Sequence, residues 1–147
     1  MRRLFALIAL LAVPAVALAQ GTSAPGKDDA AVRKAIEDHY FKAHATGAGD
    51  HLKGMFVDEG RMMWVQDGQL RVRSSADYIA GFTGKPPADE AQRKRRVVMT
   101  DVTGDVAVAK VELDYPEVRF VDYFTLARVG GEWKIIHKSF HRQPKTK

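Results

Sequence analysis

Apolar residues follow three different rhythms along this chain. From Leu4 to Leu18 they run almost unbroken behind the basic start Met1-Arg2-Arg3 and stop at Ala17-Leu18-Ala19. A basic start, an apolar run and a small-x-small site together predict a Sec signal peptide over residues 1–19, cleaved before Gln20. Pro14 interrupts the run, and roughly 18 or more apolar residues are needed to span a bilayer, so no stable membrane insertion is expected after cleavage. Residues 20–27, rich in Gly, Ser and Pro, predict a flexible lead, and a single folded domain is expected over 28–143.

The second rhythm is helical. Val32, Ala35, Ile36, Tyr40 and Ala43 recur at the spacing of one amphipathic helix, with Asp28-Asp29 as a plausible N-cap pair and Gly47 as the stop. Asp50 to Phe56 predicts a further short helical turn. Ser74 can cap another helix carrying Tyr78, Ile79 and Phe82, closed by Gly84 before Pro86-Pro87.

The third rhythm is extended. Arg61 to Gln66 and Gln69 to Arg73 flank Asp67-Gly68, a strong two-residue hairpin signal that sets Trp64 opposite Arg71, with a cation–π contact expected on an exposed face. Arg95 to Val102 and Val106 to Tyr115 surround Thr103-Gly104-Asp105, and Arg119 to Val129 and Glu132 to Arg142 surround Gly130-Gly131. The order α-α-β-β-α-β-β-β-β predicts an α+β fold, an antiparallel sheet curling over N-terminal helices.

Composition narrows the chemistry. The 147 residues contain no cysteine, which removes disulfides, zinc thiolates and a cysteine nucleophile. In an exported chain, that absence favours a bacterial periplasm. The formal charge is +5, but Arg2 and Arg3 leave with the leader, so the remainder is only mildly basic. Arg93-Lys94-Arg95-Arg96 lacks interleaved aromatic residues and predicts a solvated strand entrance rather than a nucleic-acid surface. The five histidines fall at no chelating spacing, so no metal is expected. No phosphate-cradling glycine loop, nucleophile elbow or HExxH element occurs, and no cofactor is expected.

Asp122-Tyr123-Phe124-Thr125-Leu126, the Gly130-Gly131 turn, Glu132-Trp133-Lys134-Ile135-Ile136, Lys138 and Phe140, supported by Val106 to Tyr115 and Asp77-Tyr78-Ile79, carry a resemblance. The chain from about Ala31 to Arg142 resembles the exported lumazine-binding-like group of the nuclear transport factor two superfamily, which also contains ketosteroid isomerases, scytalone dehydratase and polyketide cyclases. The resemblance implies a cone, with a curved sheet wrapped around helices and a pocket between them. It transfers no catalytic residue.

A two-residue turn at Gly130-Gly131 with an unbroken ladder would set Arg128 opposite Trp133, Phe124 opposite His137, Asp122 opposite Ser139 and Phe120 opposite His141. Phe120, Asp122, Phe124, Leu126, Trp133, His137 and His141 then share one face, expected to be the pocket lining, while Lys134 and Lys138 face solvent or a polar dimer rim. Asp122 would lie diagonal to His137 and His141, within reach of an acid–base pair, against the plainer expectation that these groups satisfy one another or water. His137 and His141 are about 13 Å apart along an extended strand, too far to grip one ion. A three-residue loop at 103–105 would place Val98, Val102, Val106 and Val108 opposite Val97, Met99, Ala107, Ala109, Val111 and Leu113, and an open face of valines predicts a homodimer.

Two function classes follow. The first is an exported small-molecule-binding protein whose ligand-binding residues are Phe120, Asp122, Phe124, Leu126, Trp133 and His137, taking a small aromatic or polycyclic ligand. The alternative is a cofactor-free acid–base enzyme of isomerase, dehydratase or cyclase type, with Asp122 and His137 as the catalytic candidates.

Overall fold

The computed structural model describes residues 26–146. The leader over 1–19 and most of the 20–27 lead lie outside the described residues.

The first helical pattern forms one continuous rod: α1 (Lys27–Ala35), a π-helical stretch (Ile36–Phe41) and α2 (Lys42–Thr46), ending at Gly47 in the left-handed region. Val32, Ile36 and Tyr40 are spaced by four, which overshoots a 3.6-residue period. The wider π turn absorbs the excess and keeps the stripe on the sheet. The N-cap is Gly26 rather than the expected Asp28-Asp29 pair. Those aspartates lie in the first turn, where Asp29 accepts hydrogen bonds from Arg33 and Thr100, and Asp28 pairs with Arg128 at 2.7 Å. Two short helices follow, α3 (Asp50–Lys53) and α4 (Ser75–Ala80). Ser74 caps α4 as expected: its side chain accepts from the Asp77 N–H at 3.1 Å and donates to the Asp77 carboxylate at 2.6 Å.

Six strands build one sheet in the order β2-β1-β6-β5-β4-β3. They are β1 (Phe56–Gln66), β2 (Gln69–Ser74), β3 (Lys94–Thr103), β4 (Val106–Asp114), β5 (Val118–Val129) and β6 (Glu132–Pro144). All neighbours are antiparallel except β1 and β6, which run parallel. The inner face carries Ala107, Ala109, Val111, Leu113, Phe124, Leu126, Trp133 and Ile135, and the helical stripe Val32, Ile36, Tyr40 and Ala43 packs into it. Among the described residues no helix is long and apolar enough to cross a membrane.

Three register shifts bend the sheet, and each changes which side chains look inward. The turn before β6 is the expected two-residue one, with Gly130 at φ 61° and Gly131 at φ 85° and Arg128 opposite Trp133. The expected ladder holds as far as Leu126 opposite Ile135. Ile136 is then bulged out, so Thr125 pairs with His137, Phe124 with Lys138 and Asp122 with Phe140. Every β6 side chain beyond the bulge therefore lies on the face opposite to expectation, while those of β5 keep theirs. A second bulge in β3 sets Val97 against Val111 but Met99 against Lys110, and Thr103 pairs directly with Val106, so the loop there is not three residues long. Val102 consequently packs on the core, whereas Met99 joins Val98, Val106 and Val108 among the exposed residues. The third shift interrupts the β1–β6 pairing between Phe56 and Arg61.

Candidate functional site

Asp122 is buried on β5, and the bulge brings Lys138 rather than a histidine to it. The Lys138 ammonium lies 3.0 Å from Asp122 Oδ2 and donates at 2.5 Å to the Tyr40 hydroxyl, which itself donates to Asp122 Oδ2 at 2.7 Å. Burial is the largest influence and disfavours the charged lysine, but the Asp122 carboxylate together with Tyr78 and Tyr115 outweighs it and the lysine pKa is raised. Lys138 is therefore an ammonium at neutral pH. The rings of Tyr40, Tyr78 and Phe140 surround it at 5.0, 5.2 and 5.1 Å.

A chain of hydrogen bonds leads outward from this pair. The Tyr78 hydroxyl donates to the Tyr40 hydroxyl at 3.3 Å and meets His44 Nε2 at 2.7 Å, and His44 Nδ1 meets the Tyr115 hydroxyl at 3.4 Å. Arg95 donates to Tyr115 at 3.3 Å and is itself held in a two-pronged pair by Glu90 at 2.6 and 2.7 Å. Donor counting orients the whole chain. Because Tyr78 gives its proton to Tyr40, it must accept from His44 Nε2–H, which leaves Nδ1 to accept from Tyr115. That is a neutral imidazole. Burial, then the charges of Lys138, Arg95 and Arg93, hold the His44 pKa well below its ordinary value. Burial, then the Asp122 charge, pushes Tyr40 well up, so both groups keep their protons as drawn.

The polar chain forms one side of a cavity of about 310 Å³. Met62 and Trp64 of β1, Leu113 of β4, and Phe120 and Phe140 of the β5–β6 pair make its apolar wall. Trp64 stacks on Phe140 at 5.2 Å with planes 26° apart. His44, Tyr78, Tyr115 and Lys138 supply the polar lining, and Arg73 and Arg142 complete it. Trp64 does pair with Arg71, but its face is the cavity face and the guanidinium over its ring is that of Arg73, 5.9 Å from the centroid. A wider, open cleft of about 800 Å³ at the ends of β3 to β6 is polar, and its carboxylates are paired internally: Glu112 with Arg96 and Arg119, Asp114 with Lys145. The smaller cavity is the better ligand site, because it is the one with an apolar wall and a few placed polar groups.

Of the six residues expected to line the pocket, Phe120 does so. Asp122 lies behind Lys138 and contributes its charge rather than its surface, while its Oδ1 is buried with no hydrogen-bond partner among the described residues. Phe124 meets Tyr40 edge-on at 4.9 Å in the core, and Leu126 is fully buried there. Trp133 packs near the Gly130-Gly131 turn beneath the Arg128 guanidinium, 4.8 Å from its ring. His137 and His141 lie on the outer face, opposite Thr125 and Val121, and neither reaches Asp122. The expected Asp122–His137 acid–base pair is thus replaced by Asp122–Lys138. The three arginines of the basic run at 93–96 are charge-paired: Arg93 with Asp89 at 2.8 Å, Arg95 with Glu90, Arg96 with Glu112. Among the described residues no group of three His, Asp or Glu could hold a metal ion.

Residues 27–141 match the family model described as "Putative lumazine-binding". The chain belongs to this family. Solved structures similar to this lumazine-binding-family chain include an NTF2-like protein of unknown function from Shewanella baltica OS155, at TM-score 0.71 and 20% identity over 80% of this chain and 95% of that one. Another is an NTF2-like protein of unknown function from Silicibacter pomeroyi DSS-3, at TM-score 0.67 and 25% identity over 78% and 94%. They establish the NTF2-like α+β fold. Among curated proteins the chain is similar to the aldolase FrzH of Cladobotryum sp, 23% identical over 106 residues, 72% of this chain and 85% of that protein.

Proposed function

We propose that this protein is an exported, periplasmic small-molecule-binding protein that takes a small aromatic or polycyclic ligand in the cavity beside Lys138. The observation that carries this reading is the pairing of a wall of Trp64, Phe120 and Phe140 with a single buried ammonium. Two of the three ammonium N–H groups are committed to Tyr40 and Asp122, which leaves one for a ligand oxygen. At about 310 Å³ the cavity stands at the small end of the roughly 300–1,000 Å³ range of ligand sites. Family membership supports a small-molecule ligand, and the basic, apolar, small-residue order of residues 1–19 supports export. Native mass spectrometry of protein purified from a periplasmic extract tests both. A chain beginning near Gln20 with a bound small molecule is expected; an intact leader in the membrane fraction contradicts export.

A second reading, a cofactor-free acid–base enzyme in the same cavity, draws on the similarity to an aldolase and on Lys138, Tyr78 and His44 lining one space. In such an enzyme the ammonium would stabilise a developing oxyanion, and neutral His44 would accept or return a proton. Tyr78→Phe would then abolish turnover of a substrate while binding persists.

A further inference from the structure

The charges around the cavity go further than its shape and, if the cavity is a ligand site as proposed above, state what its ligand carries. Lys138, Arg73 and Arg142 all line it, and no Asp or Glu does. The Lys138 charge is neutralised by Asp122. The arginine charges are not: neither Arg73 nor Arg142 has an ion-pair partner among the described residues, which include every Asp and Glu of the sequence. Elsewhere among the described residues most arginines are matched, and the exceptions, Arg61 and Arg71, do not line the cavity. Arg33, Arg93, Arg95, Arg96, Arg119 and Arg128 each hold a carboxylate at 3.6 Å or less. Arg73 and Arg142 border an apolar cavity with no carboxylate to hold, and Arg73 lies over the Trp64 ring that forms part of the wall.

We infer that the ligand is an amphipathic anion, an aromatic or polycyclic carboxylate whose ring lies along Trp64, Phe120 and Phe140 and whose carboxylate is held by Arg73 and Arg142. A guanidinium presents parallel N–H donors that match the two oxygens of a carboxylate, and its weak hydration lowers the cost of drying the contact. A cationic ligand would meet two uncompensated positive charges, and a neutral one would leave them unmatched beside a wall it had dehydrated. The Lys138 N–H not used by Tyr40 and Asp122 then serves a second oxygen, a carbonyl or hydroxyl, on the ring system.

Calorimetric titration with 2-naphthoate and its neutral counterpart 2-naphthamide tests this, on the parent protein and on an Arg73→Gln/Arg142→Gln variant. Both arginines are exposed, so the variant is expected to fold as the parent does, which circular dichroism checks. The acid should bind the parent about tenfold or more tightly than the amide, and the variant should lose that preference while still binding the amide. If the amide binds the parent as well as the acid does, the ligand's charge is misassigned although the cavity still stands as a site. If the acid preference survives in the variant, the arginines are not its source. If neither probe binds, the ligand-site reading falls together with the inference.

Discussion

Lys138 is the residue on which the site turns. A buried ammonium is tolerated because Asp122 and Tyr40 satisfy it within 3.0 Å, and removing one partner of such a pair strands the other in a dry environment. Lys138→Met should lower unfolding free energy by about 3–5 kcal/mol, and adding Asp122→Asn should restore part of the loss. A Lys138→Met protein within about 1 kcal/mol of the parent in urea denaturation would contradict a buried pair. His44 predicts a pH dependence with a definite sign. Its pKa in the folded state is depressed by burial, so below the unfolded value near 6.5 the unfolded chain binds the proton that the folded chain refuses. Stability is therefore retained above about pH 6.5 and lost as pH falls through that value, at a slope of up to about 1.4 kcal/mol per pH unit. Urea midpoints at pH 7.5 and 5.5 should differ less in His44→Gln than in the parent, and an undiminished difference would place the effect elsewhere.

Among the elements, the junction of α2 with the segment between α4 and β3 is the tightest. Gly47 ends α2 at φ 68°, and a Cβ built there would lie 1.9 Å from the Lys85 carbonyl oxygen. The same segment is tied back by a 2.8 Å bond from Gly84 N–H to the Gly47 carbonyl. Gly47→Ala therefore adds left-handed strain to a backbone clash, and it should destabilise by more than about 2 kcal/mol and shift Phe82, whose ring meets His44 and Tyr78 edge-on. A crystal structure of the variant with this segment unmoved would refute the packing argument. The strands show how much was legible beforehand. Turn chemistry gave the β1–β2 and β5–β6 turns, because Asp67-Gly68 and Gly130-Gly131 accept positive φ where other pairs do not, whereas the β3–β4 loop is one residue shorter than expected. Faces were legible only up to the first bulge. Trp133 and Ile135 are odd-numbered and Phe140 is even-numbered, so three large apolar residues of β6 cannot share one face of a regular strand, and that change of parity is the trace the bulge leaves in the sequence. Val97 and Val102 leave the same trace in β3. Without the bulge Lys138 falls in solvent, and the chain from Arg95 through Tyr115, His44 and Tyr78 stays invisible, since its members come from separate elements that only the folded sheet brings together.

At the scale of the whole molecule, the sheet divides a cavity-bearing inner face from an outer face on which Val106, Val108, Tyr123 and Ile136 stand exposed. A homodimer formed through that outer face is the assembly we propose, since apolar side chains of one sheet face gain by being covered. Sedimentation should show a dimer that Tyr123→Glu dissociates, and a monomer at every concentration would remove this part of the account. The inner face carries the central claim, that the cavity at Lys138 is where a small aromatic molecule binds. Backbone amide chemical-shift mapping with 2-naphthoate tests it most directly. Perturbations centred on Met62, Trp64, Tyr78, Tyr115, Phe120 and Lys138 are the predicted result. Saturable shifts that instead gather at Val108, Tyr123 and Ile136, or in the cleft by Glu112 and Arg119, would contradict it.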